Sequence, residues 1–212
     1  MEMTWLGHSC FRIRGREANI IMDPLGPEWG LTGRLEADIV TASHQHPGHN
    51  HVAAVAGDPL VITGPGEYES HQVLILGIST FHDDVRGQQL GKNTVFLLKL
   101  ENMTLCHLGD LGHVPSPSVV EALGDVDILM VPVGGGTTLN AAKAAETVSL
   151  IEPKIVVPMH YQAEKLRTDL EPVEKFLKEM GIAEVQPQAR LSVNRSSLPQ
   201  ETQVFLFESR HT

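Results

Sequence analysis

Along the first half of the chain, apolar residues come in short runs rather than at helical spacing, each run closed by glycine, proline or an acidic residue. Residues 2–6, 10–14 and 19–22 are three such runs. Gly7 and Gly15 separate them and Asp23-Pro24 closes the third, which predicts short strands joined by tight antiparallel turns. The Gly- and Pro-rich stretch 24–35 predicts a loop suited to lining a cleft. Residues 37–41 predict a short buried strand, 50–56 one or two helical turns and 59–63 another strand, with a turn over 64–69. Strand-like runs return at 73–81, 93–100 and 103–107. The last two read as a hairpin about Glu101-Asn102, and the polar stretch 84–92 as a surface loop beside the cleft. From about residue 116 the period changes. Helices are predicted from Ser116 or Ser118 to Leu123, over 140–151 with Pro153 just beyond, and over about 170–180, stopped by Gly181. Strands at 127–131, 155–157 and 203–207 alternate with them. No linker, low-complexity tract or sharp repeat interrupts the chain, so residues 1–212 are expected to form one domain.

The residues that suggest chemistry sit just after the apolar runs. Thr41 to His51 reads T-A-S-H-Q-H-P-G-H-N-H, with His44, His46, His49 and His51 inside eight residues. Imidazole is the common ligand for zinc and related ions, and two or three rings must converge to hold one. The i, i+2 spacing of His44 and His46 is not helical. It suits a loop leaving a strand, where both rings turn to one side. A solvated polar loop has the same composition, but the pattern recurs: His82 and Asp83 follow one run, His107 and Asp110 another, His160 a third. Residues at strand ends converge in one crevice of a layered sheet, so together they predict a metal site.

The charge balance narrows the partners. With 26 acidic against 16 basic side chains the formal net charge is -10, and no basic stripe is present. That argues against nucleic acid and anionic membrane surfaces, while a small anionic substrate still fits because a bound cation reverses the local field. No apolar stretch approaches membrane-spanning length and no basic-then-apolar leader follows Met1, so a soluble cytoplasmic protein acting on a small molecule is expected, with self-association into a homo-oligomer left open. Cys10 and Cys106 lie in apolar runs and read as buried thiols.

Trp5-Leu6-Gly7-His8-Ser9, Asp23-Pro24, His44-Gln45-His46, His49, His107-Leu108-Gly109-Asp110 and Pro158-Met159-His160 together resemble the metallo-beta-lactamase superfamily. The nearest branch is its small stand-alone metal-dependent hydrolases, related to the L-ascorbate-6-phosphate lactonase and N-acyl-phosphatidylethanolamine phospholipase D groups. The resemblance runs from Trp5 to about Gln162. It implies an α/β fold, a four-layer αββα sandwich of two mixed sheets, with the site at one edge. It further implies one or two zinc ions, with manganese or iron as alternatives. His44, His46 and His107 match the first metal's ligands, His49 and His160 those of the second, and Asp110 the carboxylate that bridges both. His82 matches a histidine that related enzymes hold near the substrate oxygens, which implies catalytic roles for His82 and Asp110. His8 and Asp23 follow early strands and are candidates for orienting ligands.

One departure matters. The family loop reads His-x-His-x-Asp-His, and the aspartate position here is Gly48. A ligand and a negative charge are lost together, and His8, Asn50, His51 and Glu67 are the candidate replacements. The chemistry implied is metal-dependent hydrolysis of a small-molecule ester, lactone, amide or phosphodiester, since water on such an ion is readily deprotonated near neutral pH. Two alternatives stand beside it: a weak or inactive metal-binding descendant acting as sensor or scaffold, which Gly48 favours, and redox or thiol-ester chemistry at a single ion. Gly134-Gly135-Gly136-Thr137 lacks the lysine of a phosphate loop and predicts close backbone approach beside the site. Lys143, Lys154, Lys165 and Arg167 are expected to be solvated, and His71, His113 and His211 carry no specific role.

Overall fold

A computed structural model describes residues 1–29, 33–163 and 170–209; Lys165, Arg167 and His211 lie outside them. In chain order the strands are β1 (Glu2–Gly7), β2 (Cys10–Arg14), β3 (Asn19–Met22), β4 (Leu35–Glu36), β5 (Ile39–Thr41), β6 (Val55–Ala56), β7 (Leu60–Ile62), β8 (Gly66–Ser70), β9 (Val73–Phe81), β10 (Lys92–Leu100) and β11 (Met103–His107). Then α1 (Pro117–Leu123), β12 (Ile128–Pro132), α2 (Ala141–Ile151), β13 (Ile155–Met159), α3 (Val173–Glu179), β14 (Leu191–Ser192) and β15 (Gln203–Val204) follow.

Two mixed sheets face each other, with strand orders β14-β1-β2-β3-β5-β7 and β15-β13-β12-β11-β10-β9-β8. The period-2 alternation of the early strands explains the layering. Phe11, Ile13, Ile20, Met22 and Ile39 turn inward and pack with Phe96 and Leu98 of the second sheet. Cys10, Ile21 and Val40 turn to the opposite face, where Leu25, Leu35, Val55 and Trp29 cover them. Among the described residues that outer cover is made of the β4–β6 pair and single 3-10 turns at Pro27–Trp29 and Val52–Ala54, so the layer outside the first sheet is thin. On the second sheet, β11, β12, β13 and β15 run parallel. Every residue of β12 and β13 is buried, which accounts for their unbroken apolar runs. Helix α2 packs against β12, α1 and α3. It buries Ala141, Ala144, Thr147, Val148 and Ile151 at helical spacing, is capped by the Asn140 side chain accepting from the Lys143 N–H, and ends at Glu152 in the left-handed region before Pro153.

Several expectations change. Residues 66–70 are an edge strand paired antiparallel with β9 rather than a turn, because the cross-strand ladder overrides local Gly and Pro preference. The stretch 50–56 makes one 3-10 turn and then β6. Helix α3 begins only after Pro172, which stands extended, and the last strand stops at Val204. The Glu101-Asn102 hairpin is as read, both residues carrying positive φ (49° and 60°), the conformation of a type I′ turn. Cys10 and Cys106 are buried and form no disulfide. Among the described residues no helix is long and apolar enough to cross a membrane.

The pairing fixes strand direction. β1, β3 and β5 run alike in one sheet, β9, β11 and β13 alike in the other, and the residues just after each collect at one edge of the sandwich.

Candidate metal centre

Each buried polar group of the centre is delivered by a strand end: His8 by β1, Asp23 by β3, His44, His46 and His49 by β5, His82 by β9, Asp110 by β11 and His160 by β13. Asp23 apart, their candidate ligand atoms form two groups, His44-His46-His82 and His8-His49-Asp110-His160, and within each group these atoms lie within 4.8 Å of one another. Asp110 joins the two. Its Oδ2 is 3.2 Å from His49 Nε2, 3.3 Å from His160 Nε2, 3.2 Å from His82 Nε2 and 3.7 Å from His44 Nε2. All of these residues except His46 are almost completely buried.

The loop around them is pinned by hydrogen bonds. Asp23 is fully buried; its Oδ2 accepts from Ser43 Oγ (2.6 Å) and pairs with His49 Nδ1 (2.7 Å), and its Oδ1 accepts from the Ser43 N–H (2.7 Å). A carboxylate behind a ligating ring sets its tautomer and aim, here turning His49 Nε2 toward Asp110. The Asp110 N–H donates to Asn93 Oδ1, and Asn93 Nδ2 donates to Thr80 Oγ1 and the Leu108 carbonyl. His8, Asp23 and His160 all hold positive φ (50°, 47° and 52°), uncommon backbone for residues with a Cβ and of the kind that clusters at functional sites.

Burial and mutual contact set the charges. Burial opposes charge on His49, yet Asp110 and Asp23 on its two ring nitrogens outweigh that and push it up to about 10. Burial also opposes ionisation of Asp110, but His160 and His49 hold its carboxyl well below the usual carboxylate range. Asp23 is likewise held low against burial, by His107 and His49. Burial, then His49, drives His44 down to about 3; burial with His160 lowers His8, and burial with His82 lowers His46. His82 is raised by its bond to Asp110, against burial. His8 Nδ1, His82 Nδ1 and Asp110 Oδ1 are buried with no hydrogen-bond partner. Unspent donor atoms beside converging imidazoles and a carboxylate close to both histidine groups fit a divalent cation, so the cluster is capable of coordinating one.

His107 is not brought into either group. It is fully buried, its Nε2 bonds the Ser9 carbonyl at 2.9 Å and its Nδ1 accepts from the Gly109 N–H at 3.1 Å, so the ring ties the β1–β2 turn to the second sheet. His82, which the resemblance places near the substrate oxygens, packs on His44 and His46 and lies 3.2 Å from Asp110 Oδ2. His51 is partly exposed beside the Val52–Ala54 turn and Glu67 is exposed on edge strand β8, both outside the two groups. His113 Nδ1 bonds the Val114 carbonyl, and His71 is on the surface. Sequence reasoning missed Ser43, Asn93 and Trp29; an asparagine inside a predicted strand, where it is disfavoured, was the available signal for Asn93.

Gly48 is buried, and a Cβ added there would lie 3.1 and 3.2 Å from the Trp29 ring and 3.3 Å from His8 Cδ2. The space an aspartate would need is therefore already filled. Gly134 shows the close approach expected of the triple glycine: its N–H donates to the His160 carbonyl at 3.0 Å, and no room remains for a Cβ.

A polar cleft of about 400 Å³ lies alongside, lined among others by Asp83, Gly112, Thr138 and Lys143. Thr138 Oγ1 is 3.5 Å from His160 Nδ1, and Lys143 is 3.6 Å from Asp84. One wall is the 84–91 loop, gathered on the Asp83 carboxylate: Oδ1 accepts from the N–H groups of Val85 and Gly87, Oδ2 from those of Gln89 and Leu90. These bonds hold the Asp83 carboxyl low against burial. Asp83→Ala is expected to speed hydrogen exchange at those four amides by roughly tenfold or more while leaving metal content unchanged.

Comparison with known proteins agrees with this geometry. The family model described as Beta-lactamase superfamily domain matches residues 2–160. A UPF0173 protein of Pyrococcus abyssi is 34% identical over 184 residues, covering 76% of this chain and 83% of that protein. A UPF0173 metal-dependent hydrolase of Salinibacter ruber is 29% identical over 215 residues, covering 85% and 94%. The crystal structure of a proposed zinc-dependent hydrolase of the metallo-beta-lactamase superfamily from Thermotoga maritima superposes with a TM-score of 0.82 at 37% identity, covering 97% of each chain. None of these three is described as a lactonase or a phospholipase. With its two mixed sheets and its buried His/Asp cluster at one edge, the chain belongs to the beta-lactamase superfamily, among the UPF0173 proteins.

Proposed function

We propose that this protein is a metal-dependent hydrolase of a small-molecule ester, lactone or phosphodiester, working with zinc at two adjacent positions. The observation that carries the reading is Asp110 Oδ2, within 3.7 Å of ring nitrogens from both histidine groups. His44, His46 and His82 would hold the first ion and His49 and His160 the second, with Asp110 available to both. His82 rather than His107 completes the first set, because both His107 nitrogens are already engaged by backbone. Manganese or iron are the alternatives to zinc, although an imidazole-rich set suits zinc and iron better than manganese. Divalent ions so placed supply Lewis acidity toward a carbonyl or phosphoryl oxygen and an activated water.

The chain's own groups do the rest. Asp110 Oδ1, buried without a partner, is available to hold and accept the proton of the attacking water. Asp23 keeps His49 aimed, and Asn93 keeps the Asp110 loop in place. The adjoining cleft is polar and small, which fits a polar metabolite rather than a polymer. Missing carboxylate at Gly48 favours a second reading, a metal-binding descendant with little turnover.

The test is metal content by elemental mass spectrometry on untagged chain, zinc and manganese titration, and a screen of lactones, esters and phosphodiesters. His46→Ala and His82→Ala are each expected to lose about one ion and to lower hydrolysis by roughly 10³-fold. His107→Ala should keep both ions but lose about 2–4 kcal/mol of stability, since it leaves a cavity and two unpaired backbone groups. Metal lost from His107→Ala and kept in His82→Ala would return the first site to His107; bound ions without turnover on any substrate would favour the second reading.

A further inference from the structure

Gly48 leaves the second metal position one carboxylate short of the family pattern, and two residues distant in sequence converge on the gap. His8 is 3% exposed, and its ring centroid lies 4.1 Å from that of His160 and 5.0 Å from that of His49. Its ligating nitrogen falls within 4.8 Å of those of His49, Asp110 and His160. Its Nδ1 is buried and has no hydrogen-bond partner. The backbone holds it there: the His8 carbonyl accepts from Trp5 Nε1 (2.9 Å) and from the His160 N–H (3.1 Å), and φ is +50°. Trp29 stacks on the other side of the ring at 4.6 Å and, with His8, occupies the volume into which a side chain at position 48 would project.

We propose that His8 is the ligand replacing the missing carboxylate, so that the second metal is held by His8, His49, His160 and Asp110, with Trp29 packing the freed space. The proposal rests on the two-position reading above and adds to it. Exchanging a carboxylate for a neutral imidazole removes one negative charge from the ligand set and softens it. The second position then prefers zinc to manganese and leaves more positive charge facing the substrate, which favours an anionic one.

The experiment is zinc and manganese titration of the full chain against a competing chelator, for the wild type and His8→Ala. It is paired with nitrogen NMR of the wild-type chain labelled at histidine. The wild type is expected to bind two zinc ions, and the second equivalent is expected to move a His8 ring nitrogen to the metal-bound shift range. His8→Ala should keep the first zinc, which also shows that it is folded, and bind the second at least about a hundredfold more weakly, more than loss of a supporting partner costs. Manganese should bind the second position of the wild type more weakly than zinc. Two ions bound with equal strength in both proteins, or His8 nitrogens unmoved by the second zinc, would overturn the role of His8 and leave the hydrolase reading intact. A single wild-type ion, retained in His8→Ala and lost in His46→Ala, would overturn the second position itself. No ion bound at all would overturn both the proposal and the reading beneath it.

Discussion

Asp110→Ala is expected to abolish hydrolysis and to strip metal from both histidine groups. The Oδ2 atom lies among four imidazole nitrogens at 3.2–3.7 Å, and the side chain is 4% exposed. Removing it deletes the group proposed to be shared by two ions and takes from buried His49 the larger of the two carboxylate interactions that support its charge, with Asp23 as the remaining one. Breaking a buried ion pair from one side costs about 3–5 kcal/mol. The metal-free variant should therefore also be less stable by about that amount near neutral pH, and turnover should fall by at least roughly 10³-fold. Elemental analysis, a denaturant melt and the activity screen read these separately. Asp110→Asn, which keeps the volume but not the charge, should show the same metal loss with a smaller stability deficit. Full metal content in either variant would mean that Asp110 does not bridge.

Gly134→Ala is expected to be strongly damaging for a single-methyl change. A Cβ at this position would clash with the His160 carbonyl oxygen and lie 2.9 Å from Tyr161 Cα, both backbone atoms that cannot swing aside. Either the loop after β12 retreats, breaking the Gly134 N–H to His160 bond, or His160 is pushed from its place beside Asp110. Overpacking of this kind costs about 1–3 kcal/mol and sometimes more. For a chain of this length, about 3 kcal/mol corresponds to a fall in melting temperature of roughly 6–12 °C. Binding at the proposed second metal position should weaken with it, because His160 is one of the ligands proposed there. Thr137→Ala, three residues along and exposed, is the matched control and should change neither. An undisturbed melt in Gly134→Ala would mean that the two loops have slack that this packing does not show.

The histidine loop after β5 was legible because its chemistry is local: four imidazoles in eight residues cannot be hidden by a fold. The strands at 2–6, 10–14, 19–22, 73–81 and 103–107 were legible because short apolar runs punctuated by glycine, proline and acidic residues mark them. Roles within the centre were harder. His82 and His107 both stand at strand ends, and nothing local distinguishes them. His107 is the last paired residue of β11, opposite Phe96 and Met130, and its ring is held against the Ser9 carbonyl of the other sheet. His82 is one residue past β9, free of the pleat, and turns to His44 and His46. A one-residue difference in where pairing stops decides which ring meets the metal-binding group.

By itself, then, the sequence determined that this is a sheet-rich α/β chain of the metallo-beta-lactamase type, that its ligands follow strand ends, and that one family carboxylate is missing at Gly48. The sheet-rich pattern is written in short apolar runs and turn residues, whereas the family likeness and the missing carboxylate come from motifs that resemble the superfamily, from Trp5-Leu6-Gly7-His8 to Pro158-Met159-His160. Which histidines meet, that Asp110 lies between two groups, and that Trp29 and His8 fill the room beside Gly48 were decided only by the tertiary structure. These facts join residues from 19 positions apart (Trp29 and Gly48) to 152 (His8 and His160), and they depend on strand direction, register and the pitch of one sheet on the other, none of which leaves a local trace.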